Sequence, residues 1–169
     1  MTPGRIAAPD IDETPRKGEL PRVYVARLAE SKALAVERAA GEVILAGDTT
    51  VAVGRRILEK PIDDADLRRM LGLLSGRRHH VWSGVCVGDA AGKARVRVVD
   101  TVVDFKVLSP AEIDWYVASG EGMGKAGGYA IQGRAETFVR FLSGSHSNVV
   151  GLPLFETRAL LNAAGVPLG

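Results

Sequence analysis

The chain of 169 residues balances 22 lysines and arginines against 20 aspartates and glutamates, a formal net charge of +2, with 46% hydrophobic and 25% charged residues. These proportions exclude disordered, fibrous and strongly polycationic classes and predict a single domain spanning residues 1–169, long enough to bury a core. The lone cysteine, Cys86 between two valines, excludes an internal disulfide; no stretch is apolar enough to span a membrane and Met1 to Arg5 lacks the apolar run of a signal peptide, which makes the cytoplasm the default setting.

The first predicted helix runs from about Pro21 to Ala40, with proline at its start and Gly41 just beyond its end. Its apolar stripe is Val25, Leu28, Ala29, Ala33 and Val36, and Lys32 falls on that stripe, four residues after Leu28. A lysine there either snorkels to solvent or meets an anion. Val43 to Leu58 reads as two strands joined around Gly54-Arg55-Arg56, followed by an extended exit at Lys60-Pro61. Asp63 or Asp64 caps a second helix carrying Leu67, Met70, Leu71 and Leu74, which stops at Ser75-Gly76. The basic run Arg77-Arg78-His79-His80 is short and reads as a solvated turn, with a nucleic-acid patch as the lesser alternative.

A hairpin follows, Val81 to Val87 and Arg95 to Val107, around a turn containing Gly92. Ser109-Pro110-Ala111-Glu112 is a capping box that opens a helix ending at Gly120. Residues 120–128 hold five glycines and Lys125, a loop able to bring backbone N–H groups close to an anion, or to serve as a hinge. It is not a P-loop, because Ser119 stands where the first glycine is needed and Ala126 replaces the hydroxyl. Short strands at Tyr129 to Gln132 and Phe138 to Leu142, a polar loop from Ser143 to Asn148 and a helix from about Pro153 to Ala164 complete the prediction.

One segment calls for chemistry. Asp48 follows the apolar run Val43-Ile44-Leu45-Ala46, so a carboxylate sits where a buried strand is expected to meet a loop. Such a group costs several kcal/mol unless cations or donors meet it. Lys32, Lys60 and Lys125 lie in segments that could supply them, and one acid facing several lysines suits a polyphosphate site. The plainer alternative is that Asp48 caps a turn.

The strings Asp12-Glu13-Thr14-Pro15, Arg27-Leu28-Ala29 with Ser31-Lys32-Ala33, Gly47-Asp48-Thr49, Glu59-Lys60-Pro61, Leu74-Ser75-Gly76-Arg77, Gly124-Lys125-Ala126-Gly127, Ile131-Gln132-Gly133 and Val150-Gly151-Leu152-Pro153-Leu154, in that order, resemble the Maf family of nucleoside triphosphate pyrophosphatases. The resemblance implies an α/β fold of the Maf/inosine-triphosphatase type, a mixed twisted sheet with two lobes and a central cleft. It implies hydrolysis of dTTP and UTP to the monophosphate and pyrophosphate, with a divalent cation (Mg²⁺ or Mn²⁺), in a cytoplasmic homodimer; the expectation of no membrane and no nucleic-acid partner comes from the composition and charge pattern above.

Residue by residue, Asp48 matches the family's catalytic acid, Lys32 and Lys60 its triphosphate-holding bases and Glu13 an acid beside the metal, so that Glu13 and Asp48 are the implied metal ligands. Lys125 joins the two lysines as a candidate phosphate contact. Thr49 and Gln132 match the positions that separate the dTTP/UTP branch from the 7-methyl-GTP branch, where glutamate replaces Gln132. The family pattern also begins with an apolar strand, a Ser-x-Ser-Pro-Arg-Arg loop and a helix ahead of the segment matching Asp10 to Pro15. Their lack in this sequence leads to the expectation of an N-terminally shortened domain, either a frame started at an internal methionine or a natural short form. The corresponding alternative function is a non-enzymatic interaction protein in septum formation.

Overall fold

The computed structural model describes residues 3–168. Five strands form one sheet in the order β2-β1-β3-β4-β5: β1 (Ile44–Val53), β2 (Arg56–Leu58), β3 (Arg78–Gly88), β4 (Ala94–Phe105) and β5 (Val139–Ser143). Five α-helices flank it: α1 (Pro21–Ala35), α2 (Asp64–Leu74), α3 (Pro110–Ala118), α4 (His146–Val150) and α5 (Leu154–Ala163). A mixed sheet is the expectation, yet every described pairing is antiparallel. The reason lies in the connections. Hairpins join β1 to β2 and β3 to β4, and α2 carries the chain across β1, so β2 and β3, which run in the same direction, are separated by β1. None of the described helices is long and apolar enough to cross a membrane.

Alternation along β3 divides the sheet into two environments. On one face Trp82 and Cys86 pack under α1, where Tyr24, Val25, Leu28, Ala29 and Ala33 are buried as the helical stripe predicts. Gly84 lies on this face, and a Cβ there would stand 2.2 Å from the Val25 carbonyl oxygen. The glycine therefore lets the backbone of α1 rest directly on the sheet.

The other face carries two apolar clusters. Val85 and Val87 meet Leu160 and Leu161 of α5 at one end. Val81, Val103 and Phe105 meet α2, α3 and Phe138 at the other, with Leu67, Leu71, Leu74 and Tyr116 fully buried. Between them stands Ser83, and α4 packs over this polar gap. Among the described residues β2 covers only Val51 to Val53 of β1, which leaves residues 44–50 as an unpaired sheet edge.

Several predicted boundaries move. Helix α1 ends at Ala35, not Ala40, because Val36 turns extended and Arg38 reaches over to donate to the Asp89 carbonyl at 2.7 Å. Asp48 lies in the middle of β1, since residues 47–50 continue the ladder with β3. The run Arg77 to His80 is not a solvated turn: Arg78 opens β3, and His79 is fully buried against Phe105 and Tyr129. Tyr129 to Gln132 is an irregular stretch leading into a turn in place of a strand, and the polar loop closes into α4 under a Ser145 cap. The caps at Asp63 and Ser109 and the burial of Cys86 are as predicted.

Candidate active site

The close seating of α1 determines the environment of Asp48. Asp48 is the cross-strand partner of Gly84 and shares its face, so its carboxylate points along the helix that Gly84 admits. There Lys32 Nζ donates to Asp48 Oδ1 at 2.7 Å and lies 2.8 Å from Glu13 Oε1. The Asp48 side chain is 11% exposed and that of Lys32 20%, so the pair is shielded from bulk water. Burial raises the Asp48 carboxyl above its ordinary range, against the pull of the Lys32 ammonium. Burial draws Lys32 down, but its hydrogen bonds to Asp48 and Glu13 outweigh this and hold it above the usual lysine value.

Thr49, the next residue, faces the opposite side. Its Oγ1 lies 2.7 Å from Ser83 Oγ and 3.2 Å from the Gly151 carbonyl oxygen, while Ser83 Oγ lies 3.2 Å from the Asn148 carbonyl oxygen. Three contacts share two protons. If Ser83 donates to Thr49, Thr49 donates to Gly151; if Thr49 donates to Ser83, Ser83 donates to Asn148. In both arrangements the Thr49 proton stays within the protein, and only oxygen lone pairs remain for a ligand. Asn148 anchors the region, with Nδ2 donating to the Val81 carbonyl at 2.9 Å and to Thr101 Oγ1 at 3.0 Å; its own Oδ1 is buried with no partner among the described residues.

Both residues open onto a cleft of about 290 Å³ along the free edge of β1, lined also by Lys60, Lys125, Tyr129, Gln132 and Val149 to Gly151. The glycine-rich loop reaches it with Gly124, Lys125 and Ala126 and is held in place by Gly127, whose N–H donates to the Glu59 carbonyl at 3.1 Å. Gly127 has φ 69°, and a Cβ there would stand 2.7 Å from Val51 Cβ, so the loop can lie on β1 only with glycine at this point. Lys60, Lys125 and Gln132 are exposed at the rim. A larger hollow of about 460 Å³ beside Pro15, Gly18, Glu19, Arg55, Ile57 and Glu59 contains no lysine.

Five of the seven expected residues, Asp48, Thr49, Lys60, Lys125 and Gln132, therefore share one cleft. Lys32 and Glu13 stand outside its lining and join it through Asp48. The sequence reading missed Ser83, Asn148 and the buried contact between His79 Nε2 and the Tyr129 hydroxyl at 2.8 Å. Burial pulls His79 down to about 4, so the imidazole supporting Tyr129 is neutral at physiological pH. Among the described residues no group of three or more His, Cys, Asp or Glu side chains could hold a metal ion. Asp48 and Glu13 do provide hard oxygen donors converging on one ammonium, the small donor set that a Mg²⁺-type ion supplements with water and phosphate oxygens.

The fold is thus α/β, with one acid and two lysines lining a single cleft along a sheet edge. The family model described as Maf-like protein matches residues 1–164, and the chain belongs to the Maf family. It is 82% identical over 169 residues, all of this chain and 89% of the relative, to a Sphingopyxis alaskensis protein named dTTP/UTP pyrophosphatase. A protein of the same name from Novosphingobium aromaticivorans is 55% identical over 167 residues, covering 98% of this chain and 83% of its own length. A Neorickettsia sennetsu nucleoside triphosphate pyrophosphatase is 49% identical over 165 residues, with coverages of 97% and 79%.

Proposed function

We propose that the protein hydrolyses dTTP and UTP to the nucleoside monophosphate and pyrophosphate. The observation that carries this reading is the convergence of Asp48, Thr49, Lys60, Lys125 and Gln132 on one cleft, in a chain 82% identical to a dTTP/UTP pyrophosphatase. Lys60 and Lys125 at the rim neutralise the triphosphate. Asp48, buried and lifted in pKa, accepts the proton of the attacking water, and Lys32 holds its carboxylate in position. Glu13 and Asp48 would hold a divalent cation, Mg²⁺ or Mn²⁺, which when bound supplies charge neutralisation at the phosphates and acidifies water.

The nucleobase is read at the other end of the cleft. Thr49 offers a lone pair, which matches a ligand that donates, such as the ring imide N–H of uracil or thymine. Gln132 can give its amide N–H to a neighbouring base carbonyl. The reading takes residues 1–169 as one domain, since all described strands share a sheet, and inherits a cytoplasmic homodimer from the family resemblance.

The test is product release from UTP and dTTP with Mg²⁺ or Mn²⁺. Pyrophosphate is expected and orthophosphate is not, and Asp48→Asn should lower the rate by about 10²–10⁴-fold. An Asp48→Asn variant turning over at the parent rate would remove the assignment.

A further inference from the structure

Glu13 sits on a segment with no regular structure of its own. Residues 5–16 form neither helix nor strand, and residues 17–18 only a turn. A carboxylate on such a strap is useful to a site only if something outside it fixes its position, and around Glu13 the polar groups that do so come from α1. The Tyr24 hydroxyl donates to the Glu13 carbonyl oxygen at 3.0 Å. Arg27 grips Glu19 with two parallel bonds of 2.7 Å, Nε to Oε1 and the terminal nitrogen to Oε2, and the same nitrogen donates to the Thr14 carbonyl at 3.2 Å. Lys32 then meets the Glu13 carboxylate itself.

These positions are not spread around the helix. Tyr24, Leu28 and Lys32 succeed one another at intervals of four with Arg27 beside them, so one side of α1 carries these ties to residues 13–19. Ile11 packs into the cluster of Tyr24, Val25 and Leu28 and anchors the strap's near end. The Glu19 side chain is only 5% exposed and that of Arg27 17%, which distinguishes this fork from the exposed ion pairs elsewhere on the surface. The Arg27 guanidinium also stands 5.6 Å from the Tyr24 ring centroid, linking the two ties. Burial, with the nearby acids adding to it, pushes the Tyr24 phenol up to about 12, so the hydroxyl keeps its proton and remains a donor.

We propose that Arg27 and Glu19 form a latch that positions Glu13 beside Asp48, making Arg27 a positioning residue for the cation-holding carboxylates. The inference rests on the functional reading above, which gives Glu13 its role. Arg27, on α1, is not among the residues that line the cleft; it acts by fixing the path of residues 13–19. Without the latch no side-chain hydrogen bond among the described residues holds residues 14–19 to α1, and the Tyr24 bond and the Lys32 contact alone bind Glu13 to the helix, so Glu13 samples positions away from Asp48.

The test uses Mn²⁺ alone, without nucleotide, followed by electron paramagnetic resonance, together with hydrogen exchange of residues 12–19. Arg27→Met keeps the length of the side chain and loses the fork; it should weaken Mn²⁺ binding by about 10–100-fold, as loss of an outer support does, and speed exchange in the strap. At saturating cation its kcat should return toward the parent value, whereas a general folding defect would lower kcat at every cation concentration. Glu19→Gln, nearly isosteric, should show the same pattern and serves if Arg27→Met does not fold. Faster exchange with unchanged Mn²⁺ binding in either variant overturns the proposal. Glu13→Gln separates the two readings: if it weakens Mn²⁺ binding while Arg27→Met does not, the latch alone is wrong, and if Glu13→Gln itself leaves binding unchanged, the role of Glu13 fails and the latch with it.

Discussion

Asp48 and Thr49 are consecutive in β1, and the regions they face are built on different physics. Asp48 looks toward α1, into a pocket of full charges where one ammonium is shared between two carboxylates. Thr49 looks toward α4, into a lattice of neutral hydroxyls and carbonyls anchored by the fully buried Asn148. The charged side can exchange partners: Lys32 bridges acids that an incoming cation could also take, and Coulomb attraction tolerates small displacements. The neutral side is directional, because a hydroxyl has one proton, and its position is fixed by bonds that leave no donor free. A single turn of the peptide unit thus separates a region suited to handling charge and protons from one suited to reading the pattern of a base.

If that division holds, changes on the two sides should fail differently. On the base-reading side, Gln132→Glu places a carboxylate opposite a base carbonyl with no donor between them, a mismatch of about 1–3 kcal/mol or roughly 10–100-fold in kcat/KM. The loss should be confined to dTTP and UTP relative to other triphosphates, as steady-state comparison across nucleotides would show. Equal falls for every nucleotide would mean that the two regions are not separate.

On the charged side the sharper probe is pH. Asp48 must be ionised to accept a proton, and burial has already raised its carboxyl, so the acid limb of kcat/KM should lie above the range of an ordinary aspartate. Lys32 pulls that pKa down, so Lys32→Met should move the limb to still higher pH while leaving the ranking of nucleotides unchanged. A limb that stays in place, or moves to lower pH, would show that another group sets it.

What the sequence disclosed follows the strength of the local signals. Asp63 and Ser109 accept from backbone N–H groups at their helix starts, a contact written within four residues. The lysines and Asp48 were legible as charge seeking charge, although their order in space was not. Gly47-Asp48-Thr49-Thr50 reads as the end of a strand because its residues are polar; only the ladder with β3 reveals them as its middle. Ser83 and Asn148 carried no signal at all, since a serine in a β-run and an asparagine in a polar stretch are ordinary until α4 folds over the sheet and makes them neighbours. The Arg27 fork was hidden for the same reason: its partner lies on a strap whose path no periodicity describes.

Isotopic labelling of the products tests the central claim most directly. Turnover of UTP in ¹⁸O-water with the cation present should place the label in the monophosphate and leave pyrophosphate unlabelled, because the cleft is read as directing water to the α-phosphorus. Label appearing in pyrophosphate, or released as orthophosphate, would contradict the account.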